Sequence, residues 1–313
     1  MSRSIVATNF LVCICLIAIS PARAGAQAPA PGAVLIVMLG TGTPQPNPDR
    51  QGPSLAIVAG GRAYIVDAGA GVVRRASAAL LEGIAELRPD RLGIAFLTHL
   101  HSDHTIGLPD LILTPWVLGR SRALALYGPA GTSAMAANLL RAYAQDIDVR
   151  IHGLEHANPT GYRVAAHDIE PGLVYQDANV KVIAFAVQHG SWKEALGYRF
   201  EARGKTIVIS GDTRPSDNVI KACNGCDVLI HEAYSGQTPP VPLDTTRWRA
   251  YLAAFHTSAE QLGELAQRAR PKMVVLTHTM PFAGSSGAQL VAEVKQHYTG
   301  PVIWPRDLDV IAP

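Results

Sequence analysis

Short apolar runs broken by glycine, proline and aspartate dominate the chain. "AVLIVMLG" (33–40), "LAIVAGGRAYIVDAG" (55–69), "GIAFLTH" (93–99), "VKVIAFAV" (180–187), "GYRFEARGKTIVISGD" (197–212), "DVLIHEA" (227–233) and "KMVVLTH" (272–278) have the length and β-branched content of strands. "AGGR" and "ARGK" sit where hairpins turn, each with a glycine available for positive φ. Apolar residues recur at helical spacing over 72–82, 105–118, 130–146, 258–269 and 287–297, the fourth preceded by Thr257 with Glu260 three residues on, as in a capping box. Strands that are apolar almost throughout belong in sheets covered on both faces. The predicted class is therefore α/β, layered helix, sheet, sheet, helix. Residues 148–179 are more polar and irregular, and read as a surface insertion near the rim of a site.

The first residues change the charge count. "MSRSIVATNFLVCICLIAISPARAGAQA" has an early Arg3, an apolar stretch from Phe10 to Ile19 and small residues that permit cleavage after Ala26. This is the pattern of a signal peptide over 1–26, followed by one domain over 27–313. The apolar stretch is about ten residues, half of what a spanning helix needs, so no membrane anchor is expected and the location is periplasmic or secreted. Cleavage would remove Arg3 and Arg23, leaving the 25 acidic residues matched by basic ones. Without a basic run or net positive charge, nucleic acid is a disfavoured partner. Cys223 and Cys226, in "CNGC", could pair in an oxidising compartment or simply fill a turn.

The chemistry concentrates in "THLHSDH" (98–104), where His99, His101, Asp103 and His104 follow the apolar run "GIAFL" at once. On a loop leaving a strand, alternating side chains would direct His99 and His101 to one metal and Asp103 and His104 to a second. Imidazole and carboxylate suit Zn²⁺, with Fe or Mn admissible, and the absence of cysteine argues against a purely structural zinc site. The rhyme of "IAFLTH" with "MVVLTH" suggests two similar halves, each delivering a ligand from a strand end.

These motifs resemble the metallo-β-lactamase superfamily, whose H-x-H-x-D-H signature stands here as His99, His101, Asp103 and His104. The resemblance implies a four-layer αββα sandwich and two metal ions. It assigns His99, His101 and His189 to one metal and Asp103, His104 and His278 to the other, with Asp212 bridging them. Asp67, in "YIVDAG", would orient the ligand loop without touching metal.

"GTGTPQPNPDRQGPS", "HEAY" (231–234) and "FHTSAE" (255–260) are similar to the ribonuclease Z and type III arylsulfatase-like branch. There, a glutamate paired with a distant histidine protonates the leaving oxygen, a role that falls on Glu232 and His256. Asp103 would orient the attacking hydroxide held between the metals. The tRNA-processing members carry a long arm between the equivalents of His189 and Asp212, whereas residues 190–211 are consumed here by a hairpin. The resulting expectation is an exported dinuclear-zinc hydrolase of small phosphodiesters or sulfate esters, with a small-molecule ester as partner and a homodimer allowed. A lactonase or β-lactamase on the same fold is the alternative. A tRNA 3′-processing endonuclease and a metal-binding protein without turnover rank below both.

Overall fold

The computed structural model describes residues 32–235, 244–282 and 286–313. The leader expected over 1–26 lies outside them. Among the described residues no helix is long and apolar enough to cross a membrane.

The first sheet contains β1 (Leu35–Gly40), β2 (Ser54–Ala59), β3 (Arg62–Val66), β4 (Ile94–Phe96), β5 (Leu124–Gly128) and β6 (Val164–Asp168). The second contains β7 (Gly172–Gln176), β8 (Lys181–His189), β9 (Trp192–Ala202), β10 (Lys205–Ile209), β11 (Val228–Ser235), β12 (Val274–Pro281) and β13 (Val302–Ile303). The last strand, β14 (Val310–Ile311), returns to pair with β1. The strand orders are β14-β1-β2-β3-β4-β5-β6 and β13-β12-β11-β10-β9-β8-β7. The helices are α1 (Val72–Leu81), α2 (Ser102–Thr105), α3 (Leu108–Val117), α4 (Thr132–Ala142), α5 (Ala144–His152), α6 (Asp217–Cys223), α7 (Thr245–Phe255), α8 (Ala259–Ala269) and α9 (Gly287–Val294).

Strand alternation sorts one apolar run into two cores. Ile36, Met38, Ile57, Tyr64 and Phe96 meet Val182, Tyr198, Phe200, Ile207 and Ile230 between the sheets. Val37, Leu39, Val58, Ile65 and Leu97 face outward, where Val72, Val73, Ala76, Leu108, Leu111 and Ala136 cover them. On the far side, Val208, Leu229, Val274 and Leu276 are covered by Val219, Leu262, Leu265, Leu290 and Val294. This is the expected helix, sheet, sheet, helix layering. Both predicted hairpins form, with Gly60 and Gly61 at φ 58° and 79° and Arg203 and Gly204 at 48° and 76°.

The stretch 148–179 is not an insertion. It completes α5 and supplies β6 and β7, the edge strand of each sheet. Its strands are half-exposed edges, which is why they lack the apolar runs of the interior strands. One other expectation shifts. The capping box of α8 uses Ser258 and Gln261, while Thr257 donates to the Thr213 carbonyl at 2.6 Å. Cys223 and Cys226 form a disulfide, closing the turn after α6.

Arg120 ties this framework together from inside. Pro115 within α3 has no N–H for the Leu111 carbonyl, and the Arg120 guanidinium supplies one at 3.0 Å. The same group donates to the carbonyls of Leu92 at 2.7 Å, Ile112 at 2.6 Å and Gly161 at 3.0 Å. Burial lowers its pKa to about 10, still well above neutrality. Arg120→Leu should strand several buried carbonyls, each costing about 1–3 kcal/mol. We expect a loss of about 3 kcal/mol or more in chemical denaturation, and unchanged stability would show that the carbonyls find other donors.

Candidate active site

Where β4 ends, the chain must leave the sheet without losing its backbone hydrogen bonds, and Asp67 makes this feasible. Its carboxylate accepts from the Thr98 N–H at 2.8 Å, from the Thr98 hydroxyl at 2.9 Å and from His104 Nδ1 at 2.8 Å. Both ends of the H-x-H-x-D-H loop are thus fastened to one side chain. The backbone closes the same connection, with Ala68 N–H donating to His104 O and Gly107 N–H to Ala68 O, each at 2.8 Å. Gly107 has to be glycine, because a Cβ there would stand 2.2 Å from the Gly69 carbonyl oxygen.

All nine residues expected at the site converge. Two distances define the first group: His99 Nε2 lies 3.0 Å from His101 Nδ1, and His189 Nε2 lies 3.1 Å from the same atom. In the second, His278 Nε2 is 3.2 Å and His104 Nε2 3.5 Å from Asp103 Oδ2. Asp212 reaches both, with Oδ1 3.5 Å from His104 Nε2, and Oδ2 3.3 Å from His278 Nε2 and 3.9 Å from His189 Nε2. The two groups of three, and Asp212 with His99 and His104, each lie within metal-binding reach.

Local irregularities aim these side chains. The β8–β9 register shifts between Val187 and His189, and the β11–β12 register shifts beside His278. Bulges of this kind turn a side chain out of the pleat. His278 and Asp67 also hold left-handed backbone, at φ 44° and 60°, a strain that the surrounding hydrogen bonds must sustain.

The residues fit a divalent metal. His189 Nδ1 donates to the Phe255 carbonyl at 2.8 Å, His99 Nδ1 lies 3.0 Å from the Thr98 hydroxyl, and His104 Nδ1 donates to Asp67. In each ring the partnered Nδ1 leaves the Nε2 lone pair facing the centre. His104 Nε2 is buried with no hydrogen-bond partner. Burial keeps His99 well below its usual pKa, pulls His101 down to about 4 and lowers His189, so these rings are neutral and able to ligate. His104 differs: burial disfavours its charge, yet Asp212 and Asp67 outweigh burial and raise its pKa well above the usual value. The carboxylates here call for a cation.

Beside this cluster, His256 Nδ1 lies 3.0 Å from each oxygen of Glu232, which also accepts the Thr213 N–H at 2.9 Å. Burial, helped by the charge of Asp212, pushes Glu232 well above the carboxylate range, while burial lowers His256. One hydrogen bond joins Nδ1 to the carboxyl group, and both shifts favour the uncharged form of each partner. The other nitrogen of His256 faces the Tyr251 hydroxyl at 3.3 Å.

A family model described as a beta-lactamase superfamily domain matches residues 62–279. A protein named ribonuclease Z from Mycolicibacterium gilvum is 32% identical over 237 residues, 74% of this chain and 79% of that protein. Another of that name from Mycobacterium bovis is 33% identical over 241 residues, 75% of this chain and 82% of that protein. The chain belongs to the metallo-β-lactamase superfamily, in its ribonuclease Z-like branch. It is a metal-dependent hydrolase acting on ester bonds. Among solved structures, the short form of human tRNase Z superposes with a TM-score of 0.62 at 23% identity, covering 89% of this chain and 98% of that one, a likeness of fold.

These relatives correct two expectations. Proteins named ribonuclease Z, matched over most of their length, contradict the ranking of small phosphodiesters and sulfate esters above tRNA processing. They equally contradict the exclusion of nucleic acid as a partner. The reason is physical: whole-chain charge averages over a surface of which any one partner touches only a part, and the length of 190–211 reports one hairpin, not the chemistry of the site.

Sequence reasoning missed the rest of the cavity. Thr43, Pro44, Gln45, Trp248, Tyr251, Met280 and Phe282 line it with the metal cluster. Helix α7, which the sequence reading does not include, leaves a weak signal in "TTRWRAYLAAF", where Trp248, Leu252 and Phe255 keep helical spacing after the cap Asp244. His231, by contrast, belongs to the opposite face of β11 from Glu232, among Leu229 and Ala233 against the outer helices, and is not part of the site. His152, His156 and His167 are exposed and away from it.

Because Asp67 fixes the loop without facing the centre, Asp67→Ala should lower metal affinity about 10- to 100-fold in chelator competition. Asp212→Ala should lower it further, since Asp212 meets both groups of ligands. Unchanged affinity in both variants would remove the metal centre from this cluster.

Proposed function

We propose that this chain is a ribonuclease Z-type endonuclease that hydrolyses a phosphodiester bond of RNA at the 3′ end of tRNA precursors. The observation that carries this reading is the Glu232–His256 pair set against Asp212 in one cavity with the histidine cluster. The relatives named ribonuclease Z support the substrate class.

In this reading His99, His101 and His189 would hold one divalent ion and Asp103, His104 and His278 another, with Asp212 within reach of both groups; Zn²⁺ suits these nitrogen and oxygen donors, and Fe or Mn would also be accommodated. When bound, such ions lower the pKa of a water from about 15.7 towards 7 and polarise the phosphoryl oxygens. Asp103, its Oδ2 facing His278, accepts a hydrogen from the attacking water and so aims its lone pair at phosphorus. Glu232 holds Nδ1 of His256 and turns Nε2 toward the cavity. From Nε2 a proton passes to the departing ribose oxygen, which would otherwise leave as a strongly basic alkoxide. The Glu232 carboxylate, buried and hydrogen-bonded to Thr213 N–H, steadies the imidazole in its charged and neutral forms.

His256→Ala should lower kcat on a precursor tRNA by about 10² to 10⁴ while metal content stays constant. The loss should shrink on nitrophenyl phosphodiesters, whose leaving group needs no proton. An equal loss on both substrates would deny His256 the acid role, and a metal-loaded protein that cleaves nitrophenyl phosphodiesters but no precursor tRNA would overturn the RNA assignment.

A further inference from the structure

The cavity over the metal cluster, about 320 Å³, has two chemically different sides. One is the polar floor of His101, Asp103, His189, Asp212 and His278. The other is the apolar wall of Trp248, Tyr251, Met280 and Phe282. That wall is not an extension of the main core. Leu252, Met280 and Phe282 form a small cluster of their own, with Trp248 and Tyr234 packed on it.

The rings are ordered as a unit. Trp248 stacks on Tyr251 at 5.4 Å and meets Phe282 edge-on at 5.1 Å, and Tyr251 stacks on Phe255 at 4.6 Å. Even so, Tyr251 is 40% exposed and Trp248 is only partly buried. The Trp248 indole N–H has no acceptor among the described residues. A rigid, partly uncovered aromatic wall is expensive to keep in water unless something apolar covers it during function.

We propose that this wall, centred on Trp248 with Met280 and Phe282, is a nucleobase pocket for a nucleotide adjoining the scissile phosphate. The inference rests on the phosphodiester reading of the cluster and names the part of the substrate beyond its phosphate. A nucleotide places an anion and a flat π surface a sugar's length apart, which matches a floor and a wall within one cavity. Packing a base on aromatic side chains contributes about 1–3 kcal/mol without selecting one base, as an enzyme cutting many precursors requires.

The test is equilibrium binding of adenosine 5′-monophosphate against ribose 5-phosphate to the metal-loaded protein, which keeps phosphate and sugar constant and removes only the base. The wild type should favour the nucleotide by about 5- to 100-fold, the range that base packing gives. Trp248→Ala should close most of the gap and Trp248→Phe should keep most of it, with metal content constant in both. Should Trp248→Ala fail to fold, Met280→Ala probes the same wall, and the wild-type comparison stands without either variant. Equal affinity of the two ligands in the wild type, or a gap that survives Trp248→Ala, overturns the pocket. Precursor tRNA cleavage is scored separately. Cleavage without base preference refutes the pocket alone, whereas base preference without cleavage refutes the RNA reading and leaves the pocket standing.

Discussion

The site depends on one carboxylate that never faces its centre. Asp67 ends β3 in left-handed backbone and accepts hydrogen bonds from Thr98 and His104, which bracket the ligand loop. Its own carbonyl takes the Ser54 hydroxyl at 2.8 Å, so the anchor is held by β2 as well as β3. Without that carboxylate the Thr98 N–H and the His104 ring would be buried donors lacking an acceptor. The loop would have to open to satisfy them. Rigidity comes here from an obligation to pair polar groups rather than from bulk.

The second sheet completes what Asp67 begins. The Leu196 N–H donates to the Thr98 carbonyl at 2.8 Å and the Tyr198 hydroxyl to the Leu97 carbonyl at 2.6 Å. These bonds lock the sheets in register directly beneath the ligand loop. From the second sheet, the end of β8, the segment after β10 and the irregularity within β12 then present His189, Asp212 and His278 to the same rim. Ligands drawn from strand ends of two packed sheets need few precise loops, because the sheet positions are set by the core between them.

What was legible in sequence divides along this line. Interior strands announce themselves as apolar runs, and His99, His101, Asp103 and His104 follow one of them in consecutive order, so fold and ligand set could be read together. Edge strands β6 and β7 have exposed faces and no such run, and they were mistaken for an insertion. Helix α7 keeps helical spacing but carries Thr and Arg in its first turn, which masked its apolar side. The aromatic wall exists only because α7 is folded back against β12, a juxtaposition that no local pattern contains. The ranking of substrates failed because net charge describes the whole chain and the length of 190–211 a single hairpin, whereas recognition belongs to a surface.

On the proposed reading, proton accounting bears on the role of His256 where proximity does not decide it. His256 comes within metal-binding reach of His189 and Asp212, so distance alone would allow it as a ligand. A ligand must offer a lone pair, and each oxygen of Asp212 already faces histidines of the two groups. His256 has its Nδ1 between both oxygens of Glu232, a carboxyl that burial keeps protonated more readily than usual. Were Nε2 to ligate a metal, the shared proton would be confined between His256 and Glu232, with no route to the substrate. Left unligated, the pair can pass its proton outward through Nε2 and recover it from water afterwards. On the proposed assignment, Glu232 separates His256 from the metal ligands by chemistry where distance does not.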